Sequence, residues 1–385
     1  MKIKFFMLLA ILLLAGCTQA TEGSPTQVPT QKSTQLATDA KVLTTDTPDP
    51  ISDIVKSLED LGENDQFSGA VLIAKDGEPI FERAYGMANH NYDAPNQIDT
   101  KFNLGSMNKM FTAVAILQLV EQGKISVDDK IIEHIPGYPN QEVAKKVTIH
   151  QLLTHTSGIG DFFTQEYHET AKNLLKDLND YLPLFVEKPL QFDPGTRSFY
   201  SNSGYIVLGI IIEETSGQNY FDYVKENIYQ TCGMTDTDSF EMDKVVPNIA
   251  VGYTGNISNN DSLPSNLYSL PIRGSSAGGG YSTAGDMLKF SNCLMNNQLL
   301  SSEWTNVLLE GKVNSPIPGI DGKYAYGFIV SMMNDHHVVG HGGSFPGVCS
   351  NQDIFVDMGY TVVVLSNISN GCLRVIREIR DALSN

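Results

Sequence analysis

Basic residues are scarce in this sequence. Its 385 residues include 26 Lys and Arg against 44 Asp and Glu, which gives a formal net charge of −18 at pH 7. Proteins that bind nucleic acids need a local excess of Lys and Arg to neutralise phosphates, so this composition argues against a nucleic acid as partner. An acidic surface favours solubility, and it does not describe the active site.

The sequence also lacks the common metal, redox and nucleotide motifs. It has no CxxC pair, no HExxH, no phosphate loop and no dinucleotide fingerprint. His336, His337 and His341 are close together, but alternation along a strand would split His337 from its neighbour His336, and we interpret these two as surface or edge residues. We therefore expect no metal and no cofactor. Spacing cannot pair the four cysteines outside the first segment, so disulfides and free thiols both stay open for Cys232, Cys293, Cys349 and Cys372.

The start of the chain carries a targeting pattern. Lys2 and Lys4 precede an apolar run from Phe5 to Ala15, which is too short to span a bilayer but suits an export signal. The run leads into Leu14-Ala-Gly-Cys17, which resembles a bacterial lipobox and implies acylation of Cys17. We expect residues 1–17 to be a lipoprotein signal, and the protein to be exported and membrane-anchored, at the cell surface or in the periplasm. A plain secretory signal is the alternative.

Composition divides the rest of the chain. Residues 18–50 are rich in Thr, Gln, Ser and Pro with few large apolar side chains, which is typical of a disordered tether. Residues 51–385 read as continuous globular sequence, long enough for one core with an inserted subdomain. We place a mostly helical insertion at about 130–290.

The two ends of the globular part predict strands. Gly69 to Tyr85 reads as a β-hairpin with Asp76-Gly77 at its turn. Further strands are predicted at Tyr326–Met332, His337–Gly340, Gln352–Val356 and Tyr360–Ser366, and helices at Ser106–Gln122 and Leu373–Leu383. These elements predict an α+β fold in which both ends of the chain build one antiparallel sheet, with helices packed on it.

Ser106 and Lys109 form an S-x-x-K motif at the start of a predicted helix. Residues three apart share one helix face, so the Lys109 amine can reach the Ser106 hydroxyl. The helix start also supplies backbone N–H groups that favour a developing anion. The motif alone is common, and a simple capping role for Ser106 would then be the better interpretation.

Two later motifs change that interpretation. Tyr200-Ser-Asn202 follows a turn, and His341-Gly342-Gly343 ends a predicted strand. The order S-x-x-K, Y-x-N, H-x-G resembles the serine β-lactamase and penicillin-binding-protein superfamily, closest to the class C β-lactamase-like hydrolases. Segments around Thr148–Ile159 and Ser276–Asp286 also resemble that group.

The resemblance implies a role for each matching residue. Ser106 would be the nucleophile of an acyl-enzyme mechanism, and Lys109 or Tyr200 would be its base, a choice that the sequence leaves open. Asn202 would orient Lys109 and bind substrate. The backbone N–H groups of Ser106 and Ser344 would form the oxyanion hole, with His341, Gly342 and Gly343 on the substrate-binding strand.

The third motif departs from the antibiotic-hydrolysing pattern. His341 is a weaker cation than lysine at neutral pH, and Gly342 has no hydroxyl, so substrate carboxylates lose two partners. We expect a serine hydrolase acting on a small ester, a D-amino-acid peptide or a cell-wall-type peptide, with weak or no β-lactamase activity. The alternatives are a true β-lactamase or DD-carboxypeptidase, and a non-catalytic accessory protein.

Three further interpretations concern the surroundings of the site. Gly274-Ser-Ser-Ala-Gly278 matches the nucleophile elbow G-x-S-x-G, but Pro271 and the following glycines favour a pocket-lining loop. His155 is expected to support the site rather than to react. The predicted pocket walls are Phe162–Tyr167, Tyr253–Ser269 and Phe345–Val348.

Overall fold

A computed structural model describes residues 50–255 and 263–384. The lipobox at Cys17 and nearly all of the predicted tether lie outside the described residues. Within the two described ranges, no helix combines the length and apolar character needed to cross a bilayer.

Strands and helices alternate in blocks along the described chain. The strands are β1 Gly69–Lys75, β2 Glu78–Tyr85, β3 Met87–Asn89, β4 Ala94–Pro95, β5 Phe102–Asn103, β6 Tyr281–Ser282, β7 Val313–Asn314, β8 Lys323–Tyr324, β9 Ile329–Met333, β10 His336–Phe345, β11 Val348–Phe355 and β12 Tyr360–Ser366. The α-helices are α1 Pro50–Glu63, α2 Asn108–Glu121, α3 Ile131–His134, α4 Gln141–Ala144, α5 Ile149–Leu153, α6 Gln165–Glu169, α7 Asn202–Ser216, α8 Tyr220–Val224, α9 Ala284–Met295, α10 Ser302–Leu309 and α11 Leu373–Ser384.

The main sheet joins the two ends of the described chain. Its order is β2-β1-β12-β11-β10-β9-β8-β7, and each neighbouring pair is antiparallel. Gly69 of β1 lies opposite Ser366 of β12. The predicted fold class is therefore confirmed, and so is the β1–β2 hairpin, whose turn residues Asp76 and Gly77 both have positive φ.

Both faces of the sheet are covered because side chains alternate along each strand. Val71 and Ile73 of β1 belong to the core under the terminal helices α1 and α11. Ala70 and Leu72 point the other way, into the larger core that contains α2, α7 and α9. Helix α2 lies inside this larger core, and its residues 108–119 are all buried, so it has no solvent-exposed face over that length.

Several predicted boundaries are wrong at the site. Helix α2 begins at Asn108, and Ser106 lies in the 3-10 turn Gly105–Met107 before it. Strand β10 continues from Gly340 to Phe345 and β11 begins at Val348, because backbone pairing extends through residues with no apolar pattern. Strand β9 starts only at Ile329, after a turn in which Gly327 has φ +73°. Helix α1 has no counterpart among the predicted elements.

Two disulfides link distant parts of the described chain, and the sequence did not determine whether or how these cysteines pair. Cys232 is bonded to Cys293 in α9, with the Cα atoms 5.6 Å apart. Cys349 in β11 is bonded to Cys372, with the Cα atoms 5.4 Å apart. The second bond ties the strand beside β10 to the start of the terminal helix α11.

Candidate active site

Ser106 lies where α2, β10 and the glycine-rich loop meet. Gly105 has φ +51° and donates its N–H to Asn103 Oδ1 at 2.9 Å, while its carbonyl accepts the Gly279 N–H at 3.0 Å. A Cβ atom on Gly105 would lie 3.0 Å from Ser344 N. Glycine therefore allows β10 to approach the 3-10 turn that carries Ser106 closely, and it brings the predicted oxyanion-hole residue Ser344 beside Ser106.

Lys109 is fully buried one turn after Ser106. Its Nζ donates to Asn202 Oδ1 at 2.7 Å and to the carbonyl of Ala277. Burial lowers the pKa of Lys109 to about 7, and the nearby Asp161 carboxylate opposes that shift. A neutral amine that keeps these two donated hydrogen bonds has one lone pair left to accept a proton.

Asp161 is the residue of this site that the sequence analysis missed. Its Oδ2 accepts the Asn202 backbone N–H at 3.1 Å and Nδ2–H at 2.7 Å. These bonds turn the amide of Asn202 so that its oxygen faces Lys109. The only available signal was the position of Asp161 two residues after the Thr148–Ile159 segment, and that signal gives no partner.

Tyr200 lies beside both Ser106 and Lys109. It makes a side-chain hydrogen bond with Ser106, and its ring centroid is 4.9 Å from Lys109 Nζ. Burial raises the pKa of Tyr200 well above its usual value, and the bond to Ser106 only partly opposes the rise. Tyr200 therefore holds its proton at neutral pH.

His155 supports the Tyr200 turn. Its Nδ1 accepts the Ser201 N–H at 3.1 Å, and its ring centroid is 4.3 Å from that of Tyr200. The residue is buried, and its φ is +59°, a conformation that few non-glycine residues adopt. His155 thus contacts the Tyr200 turn through a ring contact and a backbone hydrogen bond, and its supporting role stays a prediction.

His341 is a neutral residue at this site. It is buried, its Nδ1–H donates to the carbonyl of Gly342 at 2.6 Å, and its Nε2 accepts the Tyr324 hydroxyl at 3.1 Å. Burial, with repulsion from Lys109, lowers the pKa of His341 to about 3. The third motif therefore supplies no cation at neutral pH, which goes further than the weakened cation expected from sequence.

Gly342 and Gly343 differ in the space around them. A Cβ on Gly343 would lie 2.0 Å from the carbonyl oxygen of Leu104. Only glycine therefore fits against the 3-10 turn that carries Ser106, which we call the nucleophile turn after the role predicted for Ser106. A Cβ on Gly342 would meet nothing closer than 3.5 Å. Strand β9 pairs with β10 only up to Gly340, which leaves the edge beyond it available beside Ser106.

Ser106 and Ser344 border two cavities. One, which we call the acyl pocket, is also lined by Asn103, Gly105, Phe162, Phe163, Tyr167, Tyr181, Asn202, Met242, Leu270, Pro271, Arg273, Gly274, Ser275, Ala277, Gly278, Gly279, Tyr281 and Phe345. The other, which we call the cleft, runs past Tyr200, His341 and Gly342 toward α11. The acyl pocket is mostly apolar, whereas the cleft includes Asn351, Asp353 and Arg380.

The structure tests the predicted pocket walls. Phe162, Phe163 and Tyr167 line the acyl pocket, as does Phe345. The loop 274–278 lines it through all of its residues except Ser276, and it leads into β6 rather than directly into a helix. The described part of Tyr253–Ser269 does not line it. Tyr253 is instead buried under the 87–90 segment, where its hydroxyl accepts the His90 N–H at 2.9 Å.

No group of three or more metal-ligating side chains is found in the part of the chain that the structure describes. The polar groups around Ser106 are a hydroxyl, an amine, a phenol and backbone amides. Together they form the constellation of an acyl-transfer site.

Comparison with known proteins agrees with this site. A family model described as Beta-lactamase matches residues 54–383, so the chain belongs to the beta-lactamase family. It is 30% identical to PbpX of Bacillus subtilis (strain 168), over 92% of this chain and 82% of that protein. These matches confirm the resemblance drawn from the three motifs.

Solved structures share the fold. The penicillin binding protein of Bacillus halodurans superposes with a TM-score of 0.77 and 37% identity, covering 85% of this chain and 98% of that one. The D-amino acid amidase of Ochrobactrum anthropi has a TM-score of 0.74 at 22% identity, covering 87% and 97%. Family and site geometry together support a serine hydrolase in general.

Proposed function

We propose that the protein hydrolyses esters or amides of small acyl groups or short peptides through an acyl-enzyme on Ser106. The observation that carries this proposal is the buried Lys109, which is hydrogen-bonded to Asn202 and Ala277 and has a pKa lowered to about 7. A serine needs a base to become a nucleophile, and a lysine that is partly neutral at working pH can be that base.

The proton balance assigns the other groups. Ser106 Oγ forms a bond to the substrate carbonyl carbon while its proton passes to the neutral Lys109 amine. The oxyanion is held by the N–H groups of Ser106 and Ser344. Tyr200 donates its own hydroxyl proton to the leaving group as the C–O or C–N bond breaks, and Lys109 gives the proton it took from Ser106 to Tyr200 in return. Water then attacks the acyl-enzyme by the reverse route, which frees the acid and restores Ser106.

Weak or absent β-lactamase activity is part of this proposal. His341 is neutral, and both of its ring nitrogens are already hydrogen-bonded, to the Tyr324 hydroxyl and to the Gly342 carbonyl. Gly342 has no side-chain hydroxyl. The β-lactam carboxylate would therefore meet neither of the partners that the antibiotic-hydrolysing pattern provides.

A substrate panel tests the proposal. It comprises p-nitrophenyl esters, D-amino-acid amides, D-Ala-D-Ala peptides and nitrocefin, with wild type and Ser106→Ala run side by side. We expect turnover of an ester or amide that is lost in the variant, and little turnover of nitrocefin. If folded wild-type protein is not labelled by a fluorophosphonate, the non-catalytic alternative is correct instead. Nitrocefin turnover at the level of a dedicated β-lactamase would contradict the substrate assignment.

We also propose that Cys17 is acylated and that the hydrolase acts at a bacterial-type membrane surface. The support is the lipobox resemblance at Leu14 to Cys17. Incorporation of labelled palmitate in cells, abolished by Cys17→Ser, is the expected result. Equal labelling of both proteins would rule out this attachment site.

A further inference from the structure

The acyl pocket contains one charged side chain among the described residues that line it, Arg273. The other lining residues are mainly aromatic or aliphatic, including Phe162, Tyr181 and Met242. A guanidinium in apolar surroundings loses much of its hydration, so it gains strongly from a matching anion.

Arg273 is held in place by two contacts. Its Nε–H donates to the carbonyl of Ser239 at 3.0 Å, and its guanidinium carbon lies 3.5 Å from the ring centroid of the buried Phe221. The stacking stabilises the cation in the absence of a ligand and fixes the plane of the group. Its orientation is therefore set before any substrate arrives.

Among the residues that the structure describes, none accepts a hydrogen bond from the two terminal nitrogens of Arg273. Across residues 50–255 and 263–384, other basic side chains form ion pairs with carboxylates, but Arg273 does not. Within these ranges, Nε is the only nitrogen of Arg273 that donates a hydrogen bond to the protein. Four N–H groups on the two terminal nitrogens are left, which is the arrangement that binds a carboxylate through two parallel hydrogen bonds.

The two cavities show which part of the substrate would meet Arg273. Tyr200 lines the cleft, whereas Asn202 and Arg273 line the acyl pocket. Since Tyr200 passes a proton to the leaving group, the leaving group belongs in the cleft and the acyl group in the pocket. This step rests on the proposed function.

We propose that Arg273 binds an anion carried by the acyl group, so that the preferred substrates are monoesters or monoamides of dicarboxylic acids or acyl groups of similar charge. The protein would thus recognise a carboxylate on the acyl side of Ser106. On the leaving-group side, the third motif lacks the cation and the hydroxyl that bind a carboxylate in the antibiotic-hydrolysing pattern. The net charge of −18 repels anions from most of the surface. A cation inside the pocket would therefore bind anionic acyl groups in preference to anions elsewhere on the protein.

Two esters of equal chain length and the same leaving group test this proposal: mono-p-nitrophenyl glutarate and p-nitrophenyl valerate. The readout is the ratio of kcat/KM for the anionic ester to that for the neutral ester. We expect Arg273→Gln to lower this ratio roughly 10- to 100-fold, as for loss of a hydrogen bond to a charged group. Arg273→Lys should keep part of the ratio, and added salt should reduce it in the wild type.

Arg197→Gln is the matched control, since Arg197 also stacks on a phenylalanine, Phe192, but lines neither cavity. Its ratio should equal that of the wild type. If Arg273 only supports the loop, Arg273→Gln slows both esters equally and the ratio stays constant, which would overturn the proposal. Thermal unfolding checks that each variant is folded, and Arg273→Lys carries the test if the glutamine variant is not.

Binding separates this proposal from the proposed function. If the wild type cleaves neither these esters nor any ester or amide of the substrate panel, the hydrolase assignment fails. Calorimetry with glutaranilic acid and valeranilide on Ser106→Ala then tests Arg273 alone. At least tenfold weaker binding of glutaranilic acid after Arg273→Gln, with valeranilide unaffected, supports the anion site. Equal binding of glutaranilic acid to both proteins contradicts it.

Discussion

Two buried bases flank Ser106, one at the start of α2 and one on β10, and burial affects them differently. Desolvation lowers the pKa of Lys109 to about 7 and that of His341 to about 3. Lysine starts from a high pKa and reaches the working pH, with Asp161 limiting the fall, whereas histidine starts near neutrality and loses its charge. The same physical effect thus suits Lys109 to the base role proposed for it and makes His341 a neutral hydrogen-bonding group.

The largest effect should come from removing the α2 base. Lys109→Met keeps an unbranched chain in the buried site but removes the amine, and we expect kcat/KM for an activated ester to fall about 10²- to 10⁴-fold. Steady-state kinetics measure the loss, and circular dichroism checks the fold. A variant within fivefold of the wild type would show that Lys109 is not the base.

The β10 side can be perturbed by a matched glycine pair. Gly343→Ala places a Cβ against the Leu104 carbonyl and forces β10 away from the nucleophile turn, which would displace the Ser344 N–H. Loss of an oxyanion-hole donor costs about 10²- to 10³-fold in kcat. Gly342→Ala, which has room, should stay within a few-fold of the wild type. Equal losses in both variants would argue against Ser344 as a donor.

The pH profile distinguishes the two bases directly. Lys109 must be neutral to accept the Ser106 proton, so kcat/KM should rise as the pH passes about 7 and level off above it. His341 stays neutral above about 3 and adds no inflection in this range. Asp161→Asn removes a charge that raises the pKa of Lys109, so the rising limb should move to lower pH. A shift to higher pH would contradict this coupling.

Only a small effect is expected at His341 itself. His341→Gln can still accept from Tyr324 and donate to Gly342, and no charge is lost, so we expect less than about a tenfold fall in kcat/KM with an unchanged pH profile. A loss as large as that of Lys109→Met would mean that His341 takes part in proton transfer.

Much of this site could be predicted from local sequence. Ser106 and Lys109 are one helical turn apart, and the Asp76-Gly77 turn and the strand Tyr360–Ser366 carry short-range signals that the structure confirms. Asp161 could not be predicted as a partner of Asn202, because the two are 41 residues apart and meet only after α7 is packed. The extent of β10 was missed for a related reason, since glycine and serine pair through their backbone without an apolar pattern.

By itself the sequence determined the nucleophile motif, the order of the three motifs and the α+β class, because these depend on residue identity, periodicity and spacing. Only the tertiary structure decided the charge of Lys109 and His341, the pairing of Cys232 with Cys293 and Cys349 with Cys372, and which residues line each side of Ser106. Those features depend on burial and on contacts between distant parts of the chain, which exist only once the sheet has brought its two ends together.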